Sequence, residues 1–273
     1  MPGPRAGTIA FLFVLLIPQL ALERERIGEG APPPIRNARQ CLLVTAQNWQ
    51  STFGELQLLE RAKTDSPWRR RGAKIVVALG KSGLAWGRGV VAFDRPGPQK
   101  MEGDGRSPAG VFRFGTVFGY ASSAEAPHLD MPYFPLTQDS EGIDDVQSHY
   151  YNQLVRRSAI PHPDWRTSER MLRHDALYRW GIFVEYNTPA VAGGGSCIFL
   201  HIWRGPKAPT VGCTAMPESD LKAIIAWLDP QMQPLLVQMP LPEFRRIQHD
   251  WFPELEAGIS FADNNTAAIT YSD

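Results

Sequence analysis

Short apolar runs fenced by glycine or proline punctuate this chain: Ile75 to Leu79, Val90 to Phe93, Val111 to Phe114, Ile182 to Tyr186 and Ile198 to Trp203. Runs this short cannot be helices that bury a stripe; they suit strands that cross a core once. With 24 glycines and 24 prolines the sequence is interrupted often, which disfavours a helical bundle. A β-rich α+β domain with a few helices is therefore expected. Between the third and fourth runs lies Met131 to Tyr178, rich in Tyr, Asp, His and Arg, which reads as a long inserted region of loops and short helices over the sheet. One helix is predicted over Pro217 to Leu228. Pro217 suits its first turn, Glu218 and Asp220 complement the positive end of the helix dipole, and Leu221, Ile224, Ile225 and Leu228 recur on one face.

A chain of 273 residues can bury a sizeable core, so stability requires neither disulfide nor metal. Lys+Arg and Asp+Glu number 28 each, and this zero formal charge argues against a nucleic-acid partner. Cys41, Cys197 and Cys213 are too few and too scattered for a disulfide framework, and no CxxC pair is present for zinc. No metal and no cofactor are expected. Residues 1–22 read as an export signal or N-terminal anchor: Arg5 precedes the apolar stretch Ile9 to Ile17, too short for a bilayer span, which needs ~20 residues. Residues 23–35, with Ala31-Pro32-Pro33-Pro34, read as a stiff linker, and 36–273 as the folded domain. The expected location is outside the cytoplasmic membrane, in the periplasm or cell wall. Membrane association is expected only through an uncleaved N-terminal segment.

The chemistry concentrates between Ser196 and Cys213. A strand delivers His201, the turn-forming stretch Arg204 to Pro209 reverses the chain, and Thr210-Val211-Gly212-Cys213 presents a thiol just before the predicted helix. A thiolate–imidazole pair requires such an arrangement, with the base within hydrogen-bond reach of the sulfur. Amides of Gly212 and Cys213 would supply an oxyanion hole, and the helix start at Pro217 would modestly lower the thiol pKa. Thr210 has two readings, a donor beside the oxyanion or a clasp for the turn. The plain alternatives are a buried, inert Cys213 and a His201 satisfied within the core, which would make the protein a secreted, non-catalytic binding module.

The ensemble resembles the YkuD-type L,D-transpeptidase catalytic domain, in which a histidine at a strand end precedes a Ser/Thr-x-Gly-Cys turn; here these are His201 and Thr210-Val211-Gly212-Cys213. A divergent branch is indicated by Glu102-Gly103-Asp104-Gly105-Arg106-Ser107-Pro108-Ala109-Gly110-Val111-Phe112, by Asp144-Asp145 with Ser148 and Tyr151-Asn152, by Tyr186-Asn187 and by Gly195-Ser196. The resemblance implies an L,D-transpeptidase-like β-sandwich acting on peptidoglycan stem peptides, with Cys213 as nucleophile and His201 as general base. Arg106, Asp145, Tyr186, Ser196 and Arg204 are the substrate-binding candidates, Arg106 and Asp145 also fitting purely structural turns. Three departures concern the acceptor. Only eleven residues separate His201 from Cys213, Val211 stands where a histidine is frequent, and Thr214-Ala215-Met216 follows without an Asn or Arg. Water in place of an acceptor amine would make the protein a carboxypeptidase, endopeptidase or amidase-like hydrolase.

Overall fold

The computed structural model describes residues 30–255, apart from 125, 127 and 128. The segment read as an export signal or anchor, and the start of the linker, lie outside the described residues. In chain order the strands are β1 (Gln40–Ala46), β2 (Phe53–Glu60), β3 (Arg69–Ala78), β4 (Leu84–Trp86), β5 (Ser107–Gly119), β6 (Tyr133–Pro135), β7 (Ser140–Gly142), β8 (Leu154–Arg156), β9 (Glu169–Arg170), β10 (Trp180–Glu185), β11 (Phe199–Ile202), β12 (Thr214–Met216) and β13 (Leu235–Pro240). The α-helices are α1 (Pro33–Asn37), α2 (Glu218–Trp227) and α3 (Leu241–Trp251).

The long β5 is the spine. Its first part pairs antiparallel with β13, Val111 opposite Val237, and its last part with β10, Val117 opposite Ile182. From β13 the ladder runs through β1, β2 and β3 to β12 and β11 and so back to β10. The two layers of the expected sandwich are thus continuous, one sheet closed on itself around a core that includes Leu42, Val44, Leu56, Phe112 and Val237. Burying a Leu, Val or Phe there contributes roughly 1.5–3 kcal/mol apiece. β1 is buried at every position, because the ring interior takes one face while α3, with Phe244, Ile247 and Trp251 buried, packs toward β1 and β13. The predicted helix is found as α2, with Pro217 just before its first residue and Leu221, Ile224 and Ile225 buried.

Two local expectations are corrected. Val90 to Phe93 forms no strand; its apolarity serves packing instead, Phe93 stacking on Trp86 at 4.8 Å. Pro32 is extended as a stiff linker would be, but Pro33 and Pro34 open helix α1, where Ile35 enters the core. The inserted region contributes, beside its loops and a short 3-10 helix at Arg157–Ala159, several short strands: β7 pairs with β8 and β9 in a small antiparallel sheet with its own core of Ile143, Val155 and Trp165. Among the described residues no helix is long and apolar enough to cross a membrane.

Candidate active site

β11 and β12 run parallel, Leu200 opposite Thr214 and His201 opposite Ala215. The loop between them therefore does not simply reverse the chain, as expected, but carries it back to the end of β11 from which His201 is approached. It is tied there by Thr210, whose N–H donates to Leu79 O at 2.8 Å and whose carbonyl accepts from Lys81 N at 2.8 Å. Cys213 lands beside Phe199, whose N–H donates to Sγ at 3.4 Å. Side chains alternate along a strand, so Cys213, Phe199 and His201 share one face. His201 lies diagonally across the strand pair, roughly 8 Å away between Cα atoms at ordinary strand spacings. The thiol points to Cys197 O at 3.7 Å, and no Cys213–His201 hydrogen bond occurs in this state. Resting catalytic pairs are commonly long and tighten only on substrate binding.

Gly212 precedes the thiol at φ +154°, a backbone conformation that favours glycine, and a Cβ there would make a tight 3.3 Å contact with Arg106 O. Its N–H, read from the sequence as an oxyanion donor, donates to Thr210 Oγ1 at 3.1 Å in this structure. Thr210 in turn donates to Cys213 O at 2.6 Å, which resolves its two readings in favour of the clasp. A second donor to that carbonyl, Ser107 Oγ at 2.9 Å, is itself satisfied by Gly80 N–H at 2.9 Å. Beneath them Thr214 donates to the buried Gln238, which donates to Pro108 O, both at 2.8 Å.

His201 Nδ1 stands 2.7 Å from Ile202 O. That bond makes Nδ1 the protonated nitrogen and leaves Nε2 as the basic one. Burial lowers the imidazole from 6.5 to about 4, so it is neutral at physiological pH. Burial also pushes the Cys213 thiol up to about 12, with the Glu169 charge adding to the effect. The predicted lowering by the helix start is thus overturned, because β12 and Pro217 separate Cys213 from α2 and the side chain is only 6% exposed.

A stability prediction follows from His201. Between pH 6.5 and about 4 the unfolded imidazole binds a proton that the folded one refuses, so stability is expected to fall on acidification through that window, by up to about 3 kcal/mol. Asp139, Asp164 and Asp175, held down to about 2, titrate below it, while the half-buried Glu169, raised from 4.5, acts in the opposite sense. Urea denaturation of the protein and of His201→Asn across this range isolates the contribution. Parallel pH profiles for the two proteins would refute it.

The segments that carry the resemblance converge on one polar network. Glu102 Oε2 accepts from Tyr151 Oη at 2.5 Å and from Ser196 Oγ at 2.8 Å. Asn152, at φ +64°, donates to Tyr186 O at 2.7 Å and accepts from Cys197 N–H at 2.9 Å. Asn187 donates to Gly195 O at 3.0 Å. The network ends at Cys197, whose carbonyl faces the Cys213 thiol. Of the substrate-binding candidates, Tyr186 is fully buried, with its hydroxyl on Gly194 O, and Ser196 is buried on Glu102. Arg106 donates to Leu84 O at 3.0 Å, and its N–H is fixed by Asp104 Oδ1 at 2.9 Å. Asp145 accepts from Gln147 N and Arg166 N, which fixes a loop and keeps its carboxyl below the usual range. Arg204 is the exposed one, 66% open and 3.7 Å from Asp175. These positions build the scaffold of the site more than they line it.

Three participants were given no role from the sequence, although Ser107 lies in a segment that carries the resemblance. Ser107 and Gln238 look like ordinary strand residues, and only their burial and bonding give them a role. Glu169 lies in the inserted region, accepting from Tyr178 Oη at 2.8 Å. The other histidines of that region, His149, His162 and His174, are exposed.

A family model described as YkuD, L,D-transpeptidase catalytic domain, matches residues 63–237, a span that contains both His201 and Cys213. No curated protein and no solved structure matches the chain.

Proposed function

Because the chain belongs to the YkuD family of L,D-transpeptidase catalytic domains, we propose that it is an exported cysteine acyltransferase acting on peptidoglycan stem peptides. The observation that carries this reading is a thiol and a neutral imidazole on one face of adjacent strands, the imidazole's Nδ1 fixed on Ile202 O and its Nε2 left basic. Cys213 Sγ attacks the carbonyl of the third stem residue while the thiol proton passes to His201 Nε2. Collapse of the tetrahedral adduct breaks the amide bond, and the imidazolium returns its proton to the departing amine of the terminal D-amino acid. In this reading the Cys213 N–H stabilises the developing oxyanion. The thioester is then consumed by an amine of a second stem, giving an amide cross-link and free thiol.

Water serves as acceptor in the second reading, and one observation favours it. Thr214, Ala215 and Met216, the positions after the nucleophile, are buried in β12 and offer no side chain to a second stem. Export, to the periplasm or cell wall, is supported by Arg5 and the apolar run Ile9 to Ile17.

Intact-protein mass spectrometry after incubation with a stem tetrapeptide or a carbapenem tests the reading. A covalent adduct is expected on the wild type and His201→Ala should slow its formation about 10²–10⁴-fold, while Cys213→Ala should form none. Adding an acceptor amine separates the readings, because a new amide product marks transfer and a trimmed peptide alone marks hydrolysis. No adduct with any donor would favour a wall-binding module instead.

A further inference from the structure

The imidazole read above as the base has a second restraint besides Ile202, and it comes from the inserted region. Tyr178, 5% exposed, meets the His201 ring edge-on, with centroids 5.3 Å apart and planes at 77°. Phe118 and Phe199 wedge the same tyrosine at 5.7 and 5.6 Å. Its hydroxyl is anchored too, donating to Glu169 Oε1 at 2.8 Å. Arg173 donates to that oxygen at 3.2 Å and lies over the Tyr178 ring at 5.1 Å, while Asp175 holds Arg173 through two bonds of 2.9 and 2.7 Å. Glu169 stands on β9 of the small sheet.

A single hydrogen bond at Nδ1 leaves an imidazole able to rock about χ1 and its broad χ2 well, whereas an aromatic ring packed against its face or edge restricts that motion. We infer that Tyr178, anchored through Glu169 and Arg173, is a positioning residue that fixes the plane of the His201 imidazole for acyl transfer. The inference rests on the reading of His201 as the base. It gives the inserted region a part in the chemistry: β9 of the small sheet and the turn that follows hold a base whose partner thiol is delivered beside β11 of the large sheet.

The test compares the wild type with Tyr178→Phe, Tyr178→Leu, Glu169→Gln and Glu169→Ala in two measurements, the rate of adduct formation with a carbapenem and the nitrogen NMR spectrum of the His201 ring. Tyr178→Leu is expected to lower the maximal acylation rate about 10²-fold while the half-saturating donor concentration moves less than about twofold. Tyr178→Phe and Glu169→Ala should each cost about 3–10-fold, and their double variant no more than either alone, since they break one chain of contacts. Glu169→Gln still accepts from the hydroxyl and should keep the wild-type tautomer of the His201 ring. The ring nitrogens should report one tautomer, with Nδ1 protonated, in the wild type and an exchanging mixture in Tyr178→Leu. Wild-type acylation by a folded Tyr178→Leu, or an unchanged tautomer in it, would overturn the inference. If that variant does not fold, the Tyr178→Phe and Glu169→Ala pair decides, and additive losses overturn it. If even the wild type forms no adduct, the acyl-transfer reading fails separately, and the NMR comparison alone decides whether Tyr178 positions the ring.

Discussion

Alkylation of Cys213 by iodoacetamide is expected to accelerate about tenfold per pH unit from neutral into strongly alkaline solution, with no plateau near neutrality. Its thiol is buried, pushed up to about 12, and shares its surroundings with the Glu169 carboxylate. Against an ordinary thiol at 9.0, that leaves about a thousandfold less thiolate at neutral pH. The imidazole, lowered to about 4, is neutral over the same range and supplies no cation to stabilise a thiolate. A resting thiolate–imidazolium pair would behave differently, its rate flat between the two pKa values and strongly reduced in His201→Ala.

Cys41 and Cys197 are buried and their thiols are also raised, so the labelled site has to be mapped with Cys213→Ala alongside. Glu169→Gln removes the neighbouring charge and should shift the onset of labelling to lower pH. A neutral-pH plateau that disappears in His201→Ala would overturn this account of the resting state. If the slope is as expected, proton transfer from Cys213 to His201 accompanies attack on the donor rather than preceding it. The buried, protonated thiol is then protected from adventitious electrophiles until a donor fills the site.

What was legible from the sequence divides along physical lines. Strand runs such as Val111 to Phe114 and Ile198 to Trp203 were readable because burial on both faces leaves nearly unbroken apolar residues, and α2 because its stripe and acidic first turn agree. Val90 to Phe93 misled for the same reason: apolarity reports burial, and a loop that packs Phe93 on Trp86 is buried too. The closure of the sheet by β5 and β10, and the parallel course of β11 and β12, depend on pairing between distant segments that no local pattern encodes. The same limit applies to the site. Thr210, Gly212, Cys213 and His201 stand out through the family motif they resemble rather than through spacing alone, whereas Tyr186 and Ser196 look like substrate contacts until the network from Glu102 to Asn152 shows them holding the backbone around Cys197. Electrostatics was the least legible level, since a helix start close in sequence lowers a thiol pKa only if the chain runs straight into it. Here β12 intervenes.

Removing the Ser107 hydroxyl should carry the largest stability penalty of any conservative change at the site. Ser107 is fully buried, and its Oγ stands between Gly80 N–H and Cys213 O, each at 2.9 Å. Ser107→Ala leaves a buried amide donor without a partner and withdraws one of two hydroxyl donors from the Cys213 carbonyl. A buried unsatisfied group costs about 1–3 kcal/mol, so about 2–4 kcal/mol is expected for the pair of losses. Thr210→Val keeps the shape of its side chain but gives up the 2.6 Å bond to the same carbonyl and the acceptor for Gly212 N–H. It should cost less, about 1–2 kcal/mol, because this side of the turn is more open to water. The functional consequence is expected to run deeper than the stability loss. The two hydroxyls fix the peptide plane after Cys213, and with it the direction of Sγ relative to Nε2, so in the double variant acylation should fall about 10²-fold or more even where most of the protein remains folded. Urea denaturation measures the first effect and carbapenem adduct formation, scaled to the folded fraction, the second. A Ser107→Ala protein within about 0.5 kcal/mol of wild type would show that water or a backbone shift replaces the hydroxyl, and the pinned carbonyl would then have no part in aiming the thiol.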